Sequence, residues 1–314
     1  MNKVAVVGAG TMGPGLAQVF ATAGHPVALY SRTPATLDRA LTVAAGNLQT
    51  FVRHGRLDAG DVPQILARIA PTTSLSEAGE GASLVVESIA EDLEAKRAAF
   101  AELDLVCPGD AVFTSNTSYL DIFPVVPGRR LPSTVIAHWF TPPHIVPLVE
   151  VVRGERTSPA TVELVVDLLR KLDHEPVVME RFVPGFCVNR LLRSIGREVF
   201  FLLDNGYLTP EQLDLAVKAS IIPRAMVVGF VQRYDFTGLD LSLRNLQNPA
   251  FVEPPLDNAP HSLVEHVERG EFGVKSGRGF FDYGGRDLEE VLAKRDDALL
   301  EVLAAVQSHI DGHV

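Results

Sequence analysis

Cysteine is nearly absent from this sequence: 314 residues hold two, Cys107 and Cys187, far apart and without CxxC spacing. That excludes a disulfide framework and a cysteine-based zinc site, and no metal is expected. Long apolar runs are missing as well. None approaches the roughly 18 residues that a bilayer span requires, and the short apolar stretch before Gly8 lacks the core of a signal peptide. A cytoplasmic protein with no membrane partner is the expectation. Clusters of Lys and Arg are also lacking, and the formal net charge is −11. This argues against a nucleic-acid partner, whose phosphates are met by clustered cations. It leaves room for a nucleotide cofactor, which backbone N–H groups and one helix terminus can hold. Repeats and low-complexity tracts do not occur. What is present is an ordinary apolar content of 46%, enough for a packed core. The length exceeds the roughly 250–300 residues of a single core, so two domains are expected.

The first half alternates short β-branched runs with helical patterns. Strands are expected at Val4–Val7, Val27–Tyr30, Leu84–Val86, Ala111–Phe113, Thr134–Ala137, Val149–Val152 and Val177–Val178. Helices are expected over Gly13–Ala23, from Pro34 onward, over Leu93–Leu103 and over Thr161–Leu172. Such alternation builds an α/β fold with a doubly wound, mostly parallel sheet covered on both faces. The pattern changes at Pro184-Gly185. Apolar residues then recur at helical spacing from Cys187 to Asn205, and Thr209 with Gln212 reads as a capping box. Leu288–Ile310 is a further helix. The boundary therefore falls near residue 183, with an all-α domain after it.

Gly8-Ala9-Gly10-Thr11-Met12-Gly13 matches G-x-G-x-x-G between the first strand and the first helix. Gly8 permits the tight turn, Gly10 lets the backbone approach a pyrophosphate, and Gly13 lets helix pack on strand. A plain glycine turn would not need both flanks to fit. Dinucleotide binding by Gly8, Gly10, Thr11, Met12 and Gly13 is the expectation. An acid closing the second strand would select NAD through the ribose 2′-OH, whereas an Arg accommodates a 2′-phosphate. This chain has Tyr30-Ser31-Arg32-Thr33 there. Ser31 and Arg32 lean the choice towards NADP, with NAD still feasible.

Of nine histidines, His138 stands out because it closes a strand whose carboxyl end should host ligand. Glu150 lies in the next apolar strand, where a buried carboxylate needs a partner. A His–Glu pair supplies one, with the carboxylate orienting the imidazole and stabilising its protonated form. A satisfied core ion pair without chemistry is the plainer alternative.

The chain resembles the 3-hydroxyacyl-CoA dehydrogenase family essentially end to end. The matching segments are GAGTMGPGLA at the start, Ser115-Asn116-Thr117-Ser118, and His138 through Glu150. Pro184–Arg190 and Gly273–Phe280 match too. The resemblance implies an N-terminal Rossmann domain (1–183) and a helical C-terminal domain (184–314) that completes the substrate site and dimerises. It implies His138 as general acid–base, Glu150 as its orienting carboxylate, Ser118 beside nicotinamide and substrate, and Asn189 completing the site from the helical domain. Glu91, Lys96 and Lys275 fall on cofactor-contacting positions; on residue type alone the two lysines would be solvated charges. Thr141 stands where the family has Asn, and Ser118, Thr141 and Asn189 are the substrate candidates. The expected activity is reversible hydride transfer between a 3-hydroxyacyl substrate, foremost a CoA thioester, and its 3-oxo form, with NAD or NADP. The segment Asn47–Arg56 offers only Arg53, His54 and Arg56 as cations for coenzyme A. A small non-CoA hydroxy acid or alcohol is therefore the alternative substrate, and a catalytically silent nucleotide-binding protein a more distant one.

Overall fold

The structure, a computed structural model, describes residues 3–310. The chain forms two compact units, Met1–Arg190 and Leu191–Val314.

The first unit is built on eight strands: β1 (Val4–Val7), β2 (Val27–Tyr30), β3 (Ile69–Thr72), β4 (Leu84–Glu87), β5 (Val112–Ser115), β6 (Thr134–Trp139), β7 (Leu148–Arg153) and β8 (Glu175–Met179). They form one sheet in the order β3-β2-β1-β4-β5-β6-β7-β8. Every neighbouring pair is parallel except β6 and β7. The strand order reverses between β1 and β4, which opens a crevice at their carboxyl ends.

Helices α1 (Gly13–Thr22), α2 (Pro34–Arg53), α3 (Val62–Ala67), α4 (Leu75–Gly79), α5 (Leu93–Val106) and α6 (Pro159–Lys171) cover the sheet. Alternation along β1 shows why two layers are needed. Val4 and Val6 face one apolar core with Leu16, Phe20 and Leu48; Ala5 and Val7 face another with Phe100, Leu103 and Phe113. Burying each such large side chain contributes about 1.5–3 kcal/mol. Helix starts follow local chemistry. Pro34 opens α2, Asp92 caps α5 by accepting from the Ala95 N–H at 2.7 Å, and Ser158 caps α6.

The α/β expectation holds, with local differences. β3 escapes sequence reading because it carries Pro71 and its two middle residues are exposed, as suits an edge strand. α3 and α4 are too short to show a helical period. β5 runs to Ser115 rather than ending at Phe113, which draws a polar residue into the buried sheet.

The second unit takes up most of α7 (Val188–Asp204), then α8 (Pro210–Ala216), α9 (Ile222–Thr237), α10 (Leu239–Leu246), α11 (His261–Glu268) and α12 (Leu288–Ile310). Thr209 and Gln212 form the expected capping box. Asp204 accepts the His261 and Ser262 N–H groups at the start of α11 at 2.8 and 3.0 Å. A π-turn at Val217–Ile221 precedes α9, and Gly229, at φ 62°, kinks it. Among the described residues this unit holds only isolated bridges at Arg278 and no strand. The division into compact units falls after Arg190. Before it, Glu150 accepts the N–H groups of Cys187 and Val188, both at 2.8 Å, and ties the start of α7 to the sheet. Asn189, expected beyond the domain join, thus groups with the first unit.

Candidate active site

β1 leads straight into the glycine loop, and its three glycines answer three demands. Gly8 sits at φ +118°, and a Cβ there would lie 2.3 Å from the Ser88 carbonyl oxygen; a Cβ on Gly13 would lie 2.1 Å from that of Gly8. Neither position tolerates a side chain. Around Gly10 a Cβ would meet nothing within 4 Å, so that stretch of backbone borders open space that a phosphate can enter. α1 follows, with Pro14 in its first turn, so unpaired N–H groups and the helix dipole face the same opening. A cleft of about 490 Å³ collects Gly8, Gly10, Ser31 and Arg32, together with Ser88, Thr36 and Glu102. Its residues fit a dinucleotide. Sequence reading did not mark Glu102, which lies on the exposed face of α5.

β6 and β7 explain the His–Glu pair. In their antiparallel register His138 stands directly opposite Glu150, and directly opposed residues bring Cβ atoms within about 5 Å on one face. His138 Nδ1 lies 2.8 Å from Glu150 Oε2, and both residues are buried. The other carboxylate oxygen takes the Cys187 and Val188 N–H groups. Burial works against the charged form of Glu150, but the His138 hydrogen bond and the two backbone donors outweigh it, so its carboxyl titrates below the ordinary carboxylate range. The imidazole is walled by Phe140 and Phe186, with ring centroids 4.6 and 5.4 Å away. His138 Nε2 has no protein partner among the described residues.

Ser118 follows β5 in a loop pinned from several sides. Its N–H donates to Glu91 Oε1 at 2.5 Å, and Thr117 Oγ1 donates to the same oxygen at 3.1 Å. Its carbonyl oxygen accepts from Asn189 Nδ2 at 3.4 Å. Asn116 Oδ1 accepts the Trp139 N–H at 2.8 Å, tying this loop to the end of β6. The structure thus groups Ser118 with Glu91 and Asn189, and His138 with Glu150. Asn116 was missed as a tie; its place beside Ser115 in a polar run closing an apolar strand was the available signal.

Other expected residues are placed differently. Lys96 is no solvated charge: it is 1% exposed, and its ammonium lies 2.6 Å from Glu87 and 3.4 Å from Glu91. Thr141 is exposed, and its hydroxyl donates to the Met12 sulfur at 2.9 Å, a link back to the glycine loop. Lys275 is exposed in the second unit, its ammonium 5.3 Å from the Phe272 ring centre. No group of three or more His, Cys, Asp or Glu among the described residues is arranged to hold a metal.

Comparison with known proteins decides the family. The profile of the 3-hydroxyacyl-CoA dehydrogenase NAD binding domain matches residues 3–182, and that of the same family's C-terminal domain matches residues 185–283. The chain belongs to the 3-hydroxyacyl-CoA dehydrogenase family. It is a nicotinamide-dependent dehydrogenase acting on CH–OH groups. The dehydrogenase is 33% identical over 308 residues to 5-formyl-3-hydroxy-2-methylpyridine 4-carboxylate 5-dehydrogenase of Mesorhizobium japonicum, covering 96% of this chain and 97% of that protein. It is 32% identical over 284 residues to 3-hydroxybutyryl-CoA dehydrogenase of Clostridioides difficile, covering 90% of this chain and 99% of that one. A crystal structure of a 5-formyl-3-hydroxy-2-methylpyridine 4-carboxylic acid 5-dehydrogenase, described as an NAD+ dependent dismutase, superposes with a TM-score of 0.86. That pair shares 30% identity over 98% of this chain and 99% of that one. The dehydrogenase has no described helix long and apolar enough to cross a membrane.

Proposed function

We propose that this dehydrogenase interconverts the CH–OH group of a small hydroxy acid or alcohol, free of coenzyme A, with the corresponding carbonyl. The observation that carries the chemistry is the buried His138–Glu150 pair at the carboxyl end of the sheet. When bound, the nicotinamide supplies the hydride acceptor. Glu150 is charged and accepts from Nδ1–H, which leaves Nε2 as the basic nitrogen of His138. As the carbinol carbon gives up hydride, Nε2 takes the hydroxyl proton, and Glu150 stabilises the imidazolium that results. Ser118, in the loop held by Glu91, and Asn189, at the start of α7, flank the substrate oxygen. Gly8, Gly10, Thr11, Met12 and Gly13 seat the pyrophosphate. Lys275 and Thr141 remain candidates for cofactor and substrate respectively.

Two observations support the smaller substrate. α2 ends at Arg53, which donates to Thr50 Oγ1 at 3.0 Å, and only Arg56 follows it as a permanent cation within 47–56; coenzyme A carries several phosphate charges. The relative covering 96% of the chain acts on a pyridine carboxylate, whereas the CoA-dependent relative covers 90%. Family membership itself favours the CoA thioester as second reading. Side-by-side turnover of 3-hydroxybutyryl-CoA, free 3-hydroxybutyrate and a panel of aromatic hydroxy acids separates them. Faster turnover of the thioester overturns the smaller-substrate reading.

At the cofactor's adenosine end, the exposed Arg32 and the half-buried Ser31 border the cleft, and β2 ends without the acid that would repel a 2′-phosphate. We therefore propose that NADP is accepted alongside NAD. The helical unit exposes Val231, Phe236, Leu239 and Leu246, at 84, 65, 64 and 78%. Apolar exposure on this scale supports a homodimer pairing through that unit, which light scattering after gel filtration tests.

A further inference from the structure

Glu87 ends β4 at the point where the strand order reverses, in register with Val7 of β1 and Ser115 of β5. It is 0% exposed, and donors crowd it. Lys96 Nζ reaches its Oε1 at 2.6 Å and the Ile89 N–H the same oxygen at 2.8 Å, while Ser115 Oγ donates to Oε2. Burial holds this carboxyl above its ordinary range, although Lys96, Ser115 and Ile89 each pull it down. A lone ion pair would end at Lys96. Here the ammonium, itself buried, meets a second carboxylate, Glu91 Oε2, at 3.4 Å. The other oxygen of Glu91 holds the Ser118 N–H and the Thr117 hydroxyl. A continuous chain of charged contacts thus runs from under the glycine loop to the backbone of Ser118.

We infer that Glu87 is a positioning residue: by sharing the Lys96 ammonium with Glu91, it sets where Glu91 stands and so holds the Ser118 loop. The inference rests on the dehydrogenase site proposed above. Lys96 cannot turn to water, because it has almost no exposed surface. With the Glu87 charge removed, Glu91 is the one carboxylate left within 4 Å of the ammonium among the described residues. Glu91 then closes on Lys96 and releases the Ser118 N–H. Removing the ammonium as well removes the pull, and the partly exposed Glu91 returns to Ser118.

Amide hydrogen exchange on the full chain without cofactor tests this, with NADH binding and alcohol turnover measured on the same samples. In Glu87→Gln, the loop 116–120 should exchange about tenfold faster, as for loss of one charge-assisted hydrogen bond, while β1 and β2 keep their protection. The turnover number per NADH site should fall by a similar factor, with NADH affinity within about twofold. Glu87→Gln/Lys96→Met should restore the loop's protection, whereas a purely structural role makes the double variant at least as loose as the single one. Unchanged exchange in Glu87→Gln, or no restoration in the double variant, overturns the inference. If Glu87→Gln does not fold, Glu91→Gln must show the same release of Ser118, and persistent protection there overturns it equally. Loop release in a chain that never oxidises an alcohol supports the contact chain and counts against the site reading alone. Normal wild-type turnover with unmoved exchange counts against the contact chain alone.

Discussion

Replacing Glu150 by glutamine forces a choice of amide orientation that the buried geometry has already made. Glu150 Oε1 accepts two N–H groups, from Cys187 and Val188, each at 2.8 Å, while Oε2 faces a single ring nitrogen, His138 Nδ1, also at 2.8 Å. An amide NH₂ turned towards the two backbone donors would oppose both and leave three donors without an acceptor, so the amide oxygen must stay on that side. The NH₂ then points at Nδ1, which becomes an acceptor, and the imidazole proton moves to Nε2. The nitrogen meant to take the substrate proton no longer can. In a Ser-His-Asp triad the equivalent acid-to-amide change costs about 10⁴ in turnover through the wrong tautomer; a loss of about 10³ is expected here. Stability should change little, because both backbone bonds survive. The assay is turnover per NADH-binding site beside a thermal melt. Turnover within about tenfold of wild type would refute the tautomer argument. So would a large fall in Tm with turnover per site unchanged.

Other expectations follow from the same geometry. The folded carboxyl of Glu150 titrates below its ordinary value of 4.5, so its contribution to stability is complete above that value and is lost as pH falls through the lower folded one. Wild-type Tm should therefore drop more steeply on acidification than that of Glu150→Gln, and parallel curves would deny the linkage. Gly8→Ala should abolish cofactor binding and destabilise the fold by about 1–3 kcal/mol, since φ is +118° and the new Cβ would meet the Ser88 oxygen at 2.3 Å; chemical denaturation and an NADH titration check it. Arg32→Ala should weaken NADPH by about tenfold and leave NADH nearly unchanged, as for one lost charge-assisted contact. Equal losses for both cofactors would remove Arg32 from 2′-phosphate recognition.

Much of this was legible in the residues because it rests on local chemistry. The glycine loop reads from spacing, since each glycine answers a local steric demand. The His138–Glu150 pair reads from two apolar strands each carrying one misplaced polar residue. The capping box at Thr209 reads from two residue types three apart. What stayed hidden depends on contacts remote in sequence. Lys96 looks like any helix lysine until β4 brings Glu87 beneath it, and a strand ending Leu-Val-Val-Glu was the only hint. Asn189 looks like a residue of the second domain until Glu150 draws Cys187 and Val188 to the sheet. β3, with a proline and an exposed middle, has no pattern of its own and exists because β2 offers it an edge.

The most direct test of the central claim is single-turnover hydride transfer by His138→Gln with its cofactor bound. The account predicts NADH affinity close to wild type and transfer slowed by about 10²–10⁴, the contribution expected of a general acid–base. Near-wild-type transfer in that variant would contradict it.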